Sequence, residues 1–259
     1  MSDFLDVLAK VAQINIESGY YDTAKPADSL HLSFRKALSE CHVVPFIAEI
    51  KSASPSAGVI REDVDAAEVA VAMQRGGAAA LSVLTEPKQF SGSLDVLNQA
   101  RAAVKLPILM KDIVLSPVQV HAAAKIGADA VLLIKALFDR GYVEKTLDEM
   151  IVGAHTLGLE VLLETHTEAE FRSALASDAD LVGINNRNLA TLKIDLDVTK
   201  NILAKNKPDG KLVVSESGIY TPADICFLRK AGAHAFLVGS AIMASSNIEQ
   251  KVREFVNAK

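Results

Sequence analysis

The chain has 259 residues, half of them hydrophobic, with two cysteines and a formal net charge of −5. That length suits two small domains or one large α/β barrel, and so large an apolar share excludes wholesale disorder. The acidic balance argues against a nucleic-acid surface but leaves room for a small anionic ligand in a local pocket.

Cys41 and Cys226 are far apart, and no CxxC or metal-ligand spacing occurs, which fits free thiols in a reducing compartment. The N-terminus, MSDFLDVLAK, carries Asp3 and Asp6 where a secretory signal would be positive. Apolar runs are cut early, as Lys135 cuts AVLLI, so no membrane span is predicted. A cytoplasmic protein is expected.

In chain order, Phe4, Leu5, Leu8, Val11 and Ala12 share one face of a predicted helix over 4–17, and a second short helix is predicted over 30–38. Both precede the first strand, so residues 1–45 read as a helical extension. From Phe46 onward, apolar runs alternate with amphipathic segments: 46–51, 78–84, 107–112, 130–135, 160–165, 181–185, 212–217 and 235–239. Near-continuous apolar runs between helices indicate parallel strands covered on the outside. Ser116-Pro117 and Thr221-Pro222 open helices, while Gly76-Gly77, Gly127 and Gly232 are expected just past helix ends.

A repeat supports this. Gly77-Ala78-Ala79-Ala80-Leu81, Gly127-Ala128-Asp129-Ala130-Val131 and Gly232-Ala233-His234-Ala235-Phe236 are one helix-exit-to-strand device, and Asp178-Ala179-Asp180-Leu181 is a weaker copy. The four start 50, 51 and 54 residues apart, two βα units each, which predicts a single-domain (β/α)₈ barrel. A doubly wound open sheet is the rival, but no GxGxxG follows the first strand.

In such a barrel the C-terminal strand ends build the site. The first strand offers Glu49 and Lys51, whose spacing of two sends both side chains off one face. Ser54-Pro55-Ser56-Ala57-Gly58 then reads as a loop able to cradle an anion. Taken alone, this stretch fits a catalytic site and a surface salt bridge equally well. Later strands add Lys111-Asp112, Glu164, Asn185 with Arg187, Ser215-Glu216-Ser217-Gly218, and Gly239-Ser240. Six of eight strand ends carrying polar groups favour a site. Gly218, Gly239 and Ser240 follow the last two strands, where barrels commonly bind phosphate.

The segments AEIKSASPSAG, PILMKDIVLSPVQV and GINNRNLATL, with SVLTEPKQFSGSLDVL, LEVLLETHTEAE and VSESGIYTPADI, resemble the indole-3-glycerol-phosphate synthase family. The resemblance runs from about Leu32 to Met243. Two departures stand near the site entrance: Ala57 where the family commonly has lysine, and Ser52 after Lys51 where it commonly has arginine. The resemblance implies conversion of 1-(2-carboxyphenylamino)-1-deoxyribulose 5-phosphate into indole-3-glycerol phosphate, with loss of CO₂ and water. It implies Lys111 as general acid of the condensation and Glu164 as base and acid of the dehydration. Lys51 would bind the anthranilate carboxylate, Glu49 would hold a lysine, and Asn185 and Arg187 would orient the ribulose chain. Ser217 is expected among the catalytic residues, Phe90, Leu132 and Leu189 around the aromatic ring, and Ser54 with the glycine turns around the phosphate. No cofactor or metal is expected, and the expected partner is a small phosphorylated molecule rather than nucleic acid or membrane. A monomer is compatible with all of it.

Three other readings stay in view: a phosphosugar isomerase, a Schiff-base aldolase using Lys51 or Lys111, and a silent phosphate-binding barrel. The first lacks a strand-end cysteine, and the last is at odds with the presence of Lys51, Lys111 and Glu164 together. The histidines, including His166 near Glu164, are expected to be structural or solvated.

Overall fold

The computed structural model describes residues 3–27, 32–54, 58–61 and 64–259, with Ser54 described through its backbone only. Eight parallel strands close into a barrel: β1 Phe46–Ile50, β2 Ala80–Leu84, β3 Ile108–Lys111, β4 Ala130–Ile134, β5 Glu160–Thr165, β6 Leu181–Asn185, β7 Leu212–Glu216 and β8 Ala235–Val238. β1 closes it by pairing with β8 on one side and β2 on the other. All eight expected runs are found, each trimmed by up to two residues at an end.

Residue parity sorts the strands. Ile47, Ala80, Leu109, Ala130, Leu132, Leu162, Leu181, Val214 and Ala235 pack in the barrel interior. Their sequence neighbours, among them Ala48, Leu81, Met110, Val131, Leu163 and Phe236, join the outer layer under the helices. Continuing the inward parity toward the strand ends reaches Glu49, Ser82, Lys111, Glu164, Gly183 and Glu216. The interior is thus apolar below and charged at its upper end.

Helix α1, Phe4–Glu17, opens on an Asp3 cap with Asp6 closing the capping box. The second helix, α2, is Phe34–Ser39 rather than 30–38, because Ser33 accepts the Lys36 N–H and fixes the start there. Residues 30–31 lie outside the described residues. α2 buries Phe34 and Leu38 against the barrel interior, while Glu160 at the start of β5 accepts from Ser33 Oγ and Arg35 N–H. The Ser116-Pro117 and Thr221-Pro222 helices begin as expected. Gly77 and Gly232 cap helices with left-handed backbone, and Gly76 is still helical. The segment expected to be a loop after β1 contains a hairpin, Ala53–Ser54 with Gly58–Val59, and Ala57 lies outside the described residues.

Among the described residues no helix is long and apolar enough to cross a membrane, and no group of three or more His, Cys, Asp or Glu could hold a metal ion.

Candidate active site

The upper barrel end opens into a cavity of about 710 Å³ lined by Glu49, Lys51, Phe90, Lys111, Leu132, Glu164, Asn185, Arg187, Leu189 and Ser217. A second lobe of about 380 Å³ shares Glu49, Lys51, Lys111, Arg187 and Ser217 and adds Gly218, Gly239 and Ser240. Thirteen of the fourteen expected residues therefore meet in one mouth. The fourteenth, Ser54, has its backbone in the hairpin and its side chain outside the described residues.

Charge organises the mouth. Glu49 Oε1 lies 2.9 Å from Lys51 Nζ, and Glu49 Oε2 lies 3.4 Å from Lys111 Nζ. Lys111 Nζ donates to Glu216 Oε2 at 2.9 Å. Burial alone would raise Glu49, but the ammonium groups of Lys111 and Lys51 outweigh it and hold the carboxyl at about 2. Burial would lower Lys111; Glu216, Glu49 and Glu164 reverse that and keep it well above the ordinary lysine value. Glu216 goes the other way. Burial raises it, Lys111 opposes, Glu164 and Glu49 add to the rise, and it sits at about 7. Its Oε1 is buried without a hydrogen-bond partner.

Two glycines make room for these carboxylates. A Cβ on Gly183 would stand 2.2 Å from Glu216 Oε1, and one on Gly239 would stand 2.4 Å from Glu49 Oε1. Gly239, expected at the phosphate, is therefore also what lets Glu49 reach both lysines.

Beyond β7, Ser217 and Gly218 both take left-handed backbone, with φ of +67° and +80°. The buried Asn186 holds that turn: its Nδ2 donates to Ser217 O at 3.1 Å and Ser215 Oγ at 3.0 Å, and its Oδ1 accepts from Thr199 Oγ1 at 2.8 Å.

A family model described as indole-3-glycerol phosphate synthase matches residues 5–255. The protein of that name from Aromatoleum aromaticum is 43% identical over 255 residues, covering 94% of this chain and 95% of the relative. One from Dehalococcoides mccartyi is 46% identical over 216 residues, covering 82% of each chain. The chain belongs to the indole-3-glycerol phosphate synthase family. Among solved structures, an N-acetylmannosamine-6-phosphate 2-epimerase from Clostridium perfringens superposes with a TM-score of 0.61 at 18% identity, over 83% of this chain and 94% of that one. A thiamine phosphate pyrophosphorylase from Pyrococcus furiosus gives 0.60 at 16% identity, over 86% of this chain and 96% of that one. At such identity these two speak for the barrel alone.

In and beside the mouth stand residues that the sequence left without a role. Glu216 ends an apolar run, but its partner Lys111 is 105 residues away. Phe4 and Leu8 of α1 line the cavity, though the helical stripe alone does not say what it packs against. Asp112 Oδ2 accepts from Thr85 Oγ1 at 2.5 Å and its Oδ1 from Tyr21 OH at 3.1 Å. Burial raises Asp112 to about 6 against those hydrogen bonds. His166 is half-buried rather than solvated, with Nε2 3.2 Å from Glu164 Oε1.

Proposed function

We propose that this mouth closes the indole ring of indole-3-glycerol phosphate by acid–base chemistry supplied by the chain's own side chains. The observation that carries the reading is the Lys51–Glu49–Lys111–Glu216 chain of contacts at 2.9, 3.4 and 2.9 Å, facing Glu164 across one cavity.

In the condensation, the anthranilate ring carbon bearing the carboxylate attacks the ketone carbon, and the ketone oxygen becomes strongly basic. Lys111, ammonium at any working pH, gives it a proton, and Glu216, poised near neutrality at 2.9 Å, restores one. Loss of CO₂ from the same ring carbon returns an electron pair to the ring system. Dehydration then removes the new hydroxyl as water and a proton from the neighbouring methylene, the task assigned to Glu164. The carboxyl of Glu164 stays below its ordinary value: burial raises it, but His166, Lys111 and Asn185 prevail.

Lys51 pairs with the anthranilate carboxylate until it leaves, held in place by Glu49 at 2.9 Å. Phe90, Leu132 and Leu189 supply an apolar slot for the aromatic ring, and Asn185 and Arg187 meet the ribulose hydroxyls. Ser217 stands where the two lobes join, and Gly218, Gly239 and Ser240, with the Ser54 loop, receive the phosphate. The loss of positive charge at Ser52 and Ala57 weakens capture without touching these groups.

The test is incubation of purified protein with 1-(2-carboxyphenylamino)-1-deoxyribulose 5-phosphate. Indole fluorescence should rise with one CO₂ released per product. Folded protein that yields neither overturns the reading.

A further inference from the structure

Glu49 and Glu164 line the mouth with two ammonium groups, Glu216 is held by Lys111, and the pairing is uneven. Glu49 has both lysines, at 2.9 and 3.4 Å, and Lys111 also holds Glu216 at 2.9 Å. Neither lysine comes within ion-pair distance of Glu164, which is only 2% exposed. A carboxyl buried so deeply beside other carboxylates takes up a proton unless a cation stands against it. The group that stands there is His166, with Nε2 3.2 Å from Glu164 Oε1.

The far side of that ring is anchored. His166 Nδ1 lies 3.6 Å from Glu170 Oε2, and the same oxygen accepts the His166 backbone N–H at 2.8 Å. Glu170 belongs to the first turn of the helix Glu168–Leu175, which Thr167 caps. The imidazole is thus clamped between a strand end and a helix start. Nε2 is buried and makes no hydrogen bond of good geometry, so the contact with Glu164 is one of charge.

Other charges near the clamp are already matched. The helix Lys135–Asp139, which packs on β5 and on the helix Glu168–Leu175, carries Lys135 and Asp139 paired with each other. Glu168 takes Arg172 and Lys205 at 2.9 and 3.2 Å toward solvent. On the mouth side, Lys111 is engaged by Glu49 and Glu216.

We propose that His166 is a positioning residue for the ring closure, its imidazolium, clamped by Glu170, keeping Glu164 ionised and aimed into the mouth. The proposal rests on the reading of Glu164 as the base of the dehydration. Burial would lower the imidazole, but Glu164 and Glu170 outweigh it and raise it to about 9, so the ring is cationic at neutral pH.

The test combines pH–rate profiles of His166→Gln and Glu170→Gln with titration of the His166 ring by NMR. In His166→Gln the acidic limb of kcat should move up by about one pH unit or more, with turnover recovering toward the wild-type value by about pH 9. Glu170→Gln should move the limb the same way by less, and it keeps the ring in place if the histidine variant does not fold. A profile parallel to wild type, lowered by a constant factor, marks a merely structural histidine and overturns the proposal. The ring should titrate well above the ordinary histidine value of about 6.5, and its midpoint should fall in Glu164→Gln. A wild-type ring titrating near that ordinary value also overturns it. Normal turnover by Glu164→Gln would instead sink the assignment of the base, while the ring titration still reports on the pairing.

Discussion

At the lower end of the barrel, Asp129 Oδ2 accepts from Arg101 at 2.8 Å and from Ile108 N–H at 2.9 Å, while its Oδ1 accepts from Leu32 N–H at 2.8 Å. Arg101 Nη2 donates to the carbonyls of Val104 and Leu106, while its Nε is buried without a partner. At the upper end, Glu216 has one oxygen on Lys111 and the other on nothing, and three carboxylates divide two lysines. Both clusters are buried and both mix acids with bases. The lower one pairs one acid with one base and ties both to backbone groups, so its charges hold the segment before α2 and the strand starts together. The upper one is held out of balance, with protons shared near neutrality and a cavity beside them. Unequal pairing of charge beside open space is what separates a site from a clamp.

The sharpest way to break this comparison is Lys111→Ala. Turnover should fall by roughly 10² to 10⁴-fold, the range of a lost acid–base group, with circular dichroism still that of the folded barrel. The mirror experiment is Arg101→Ala, which strands Asp129. Unfolding free energy should drop by about 3–5 kcal/mol in denaturant titration, with kcat of the folded fraction near wild type.

Gly183→Ala probes the supporting backbone: its Cβ would press on Glu216 Oε1, displacing the carboxylate from Lys111. Turnover should fall by roughly 10²-fold, the scale of a misplacement near 1 Å, and steady-state kinetics would show it in kcat more than in KM. Smallest is Glu216→Gln. Because the folded state raises Glu216 to about 7, above its unfolded value, it favours the protonated form. The contribution of Glu216 to stability is therefore greatest below the unfolded carboxyl value and declines as pH rises through about 7. The glutamine variant should flatten that decline and melt higher than wild type at pH 8 by thermal denaturation. A variant melting lower at pH 8 would contradict the direction of the shift.

Much of the mouth was legible because a barrel converts strand-end position into shared location. Glu49 and Lys51 announced themselves by a spacing of two, and Lys111 and Glu164 by charge at the end of an apolar run. Glu216 hid because its meaning lies in Lys111, on the other side of the barrel. Phe4 and Leu8 hid because an amphipathic stripe tells that a helix buries a face and not which face receives it. His166 could not be assigned from its neighbours in sequence, since burial by the following helix decides whether the ring is solvated or charged. The hairpin after β1 escaped for a simpler reason. Its paired segments are two residues each, too short for any periodicity to register.

The most direct measurement is turnover and unfolding free energy determined together on Lys111→Ala and Arg101→Ala. A crossed result is predicted: the first variant folded and nearly inactive, the second active and markedly less stable. Near-normal ring closure by Lys111→Ala, or loss of kcat in folded Arg101→Ala, would contradict the division of the barrel into a reactive end and a holding end.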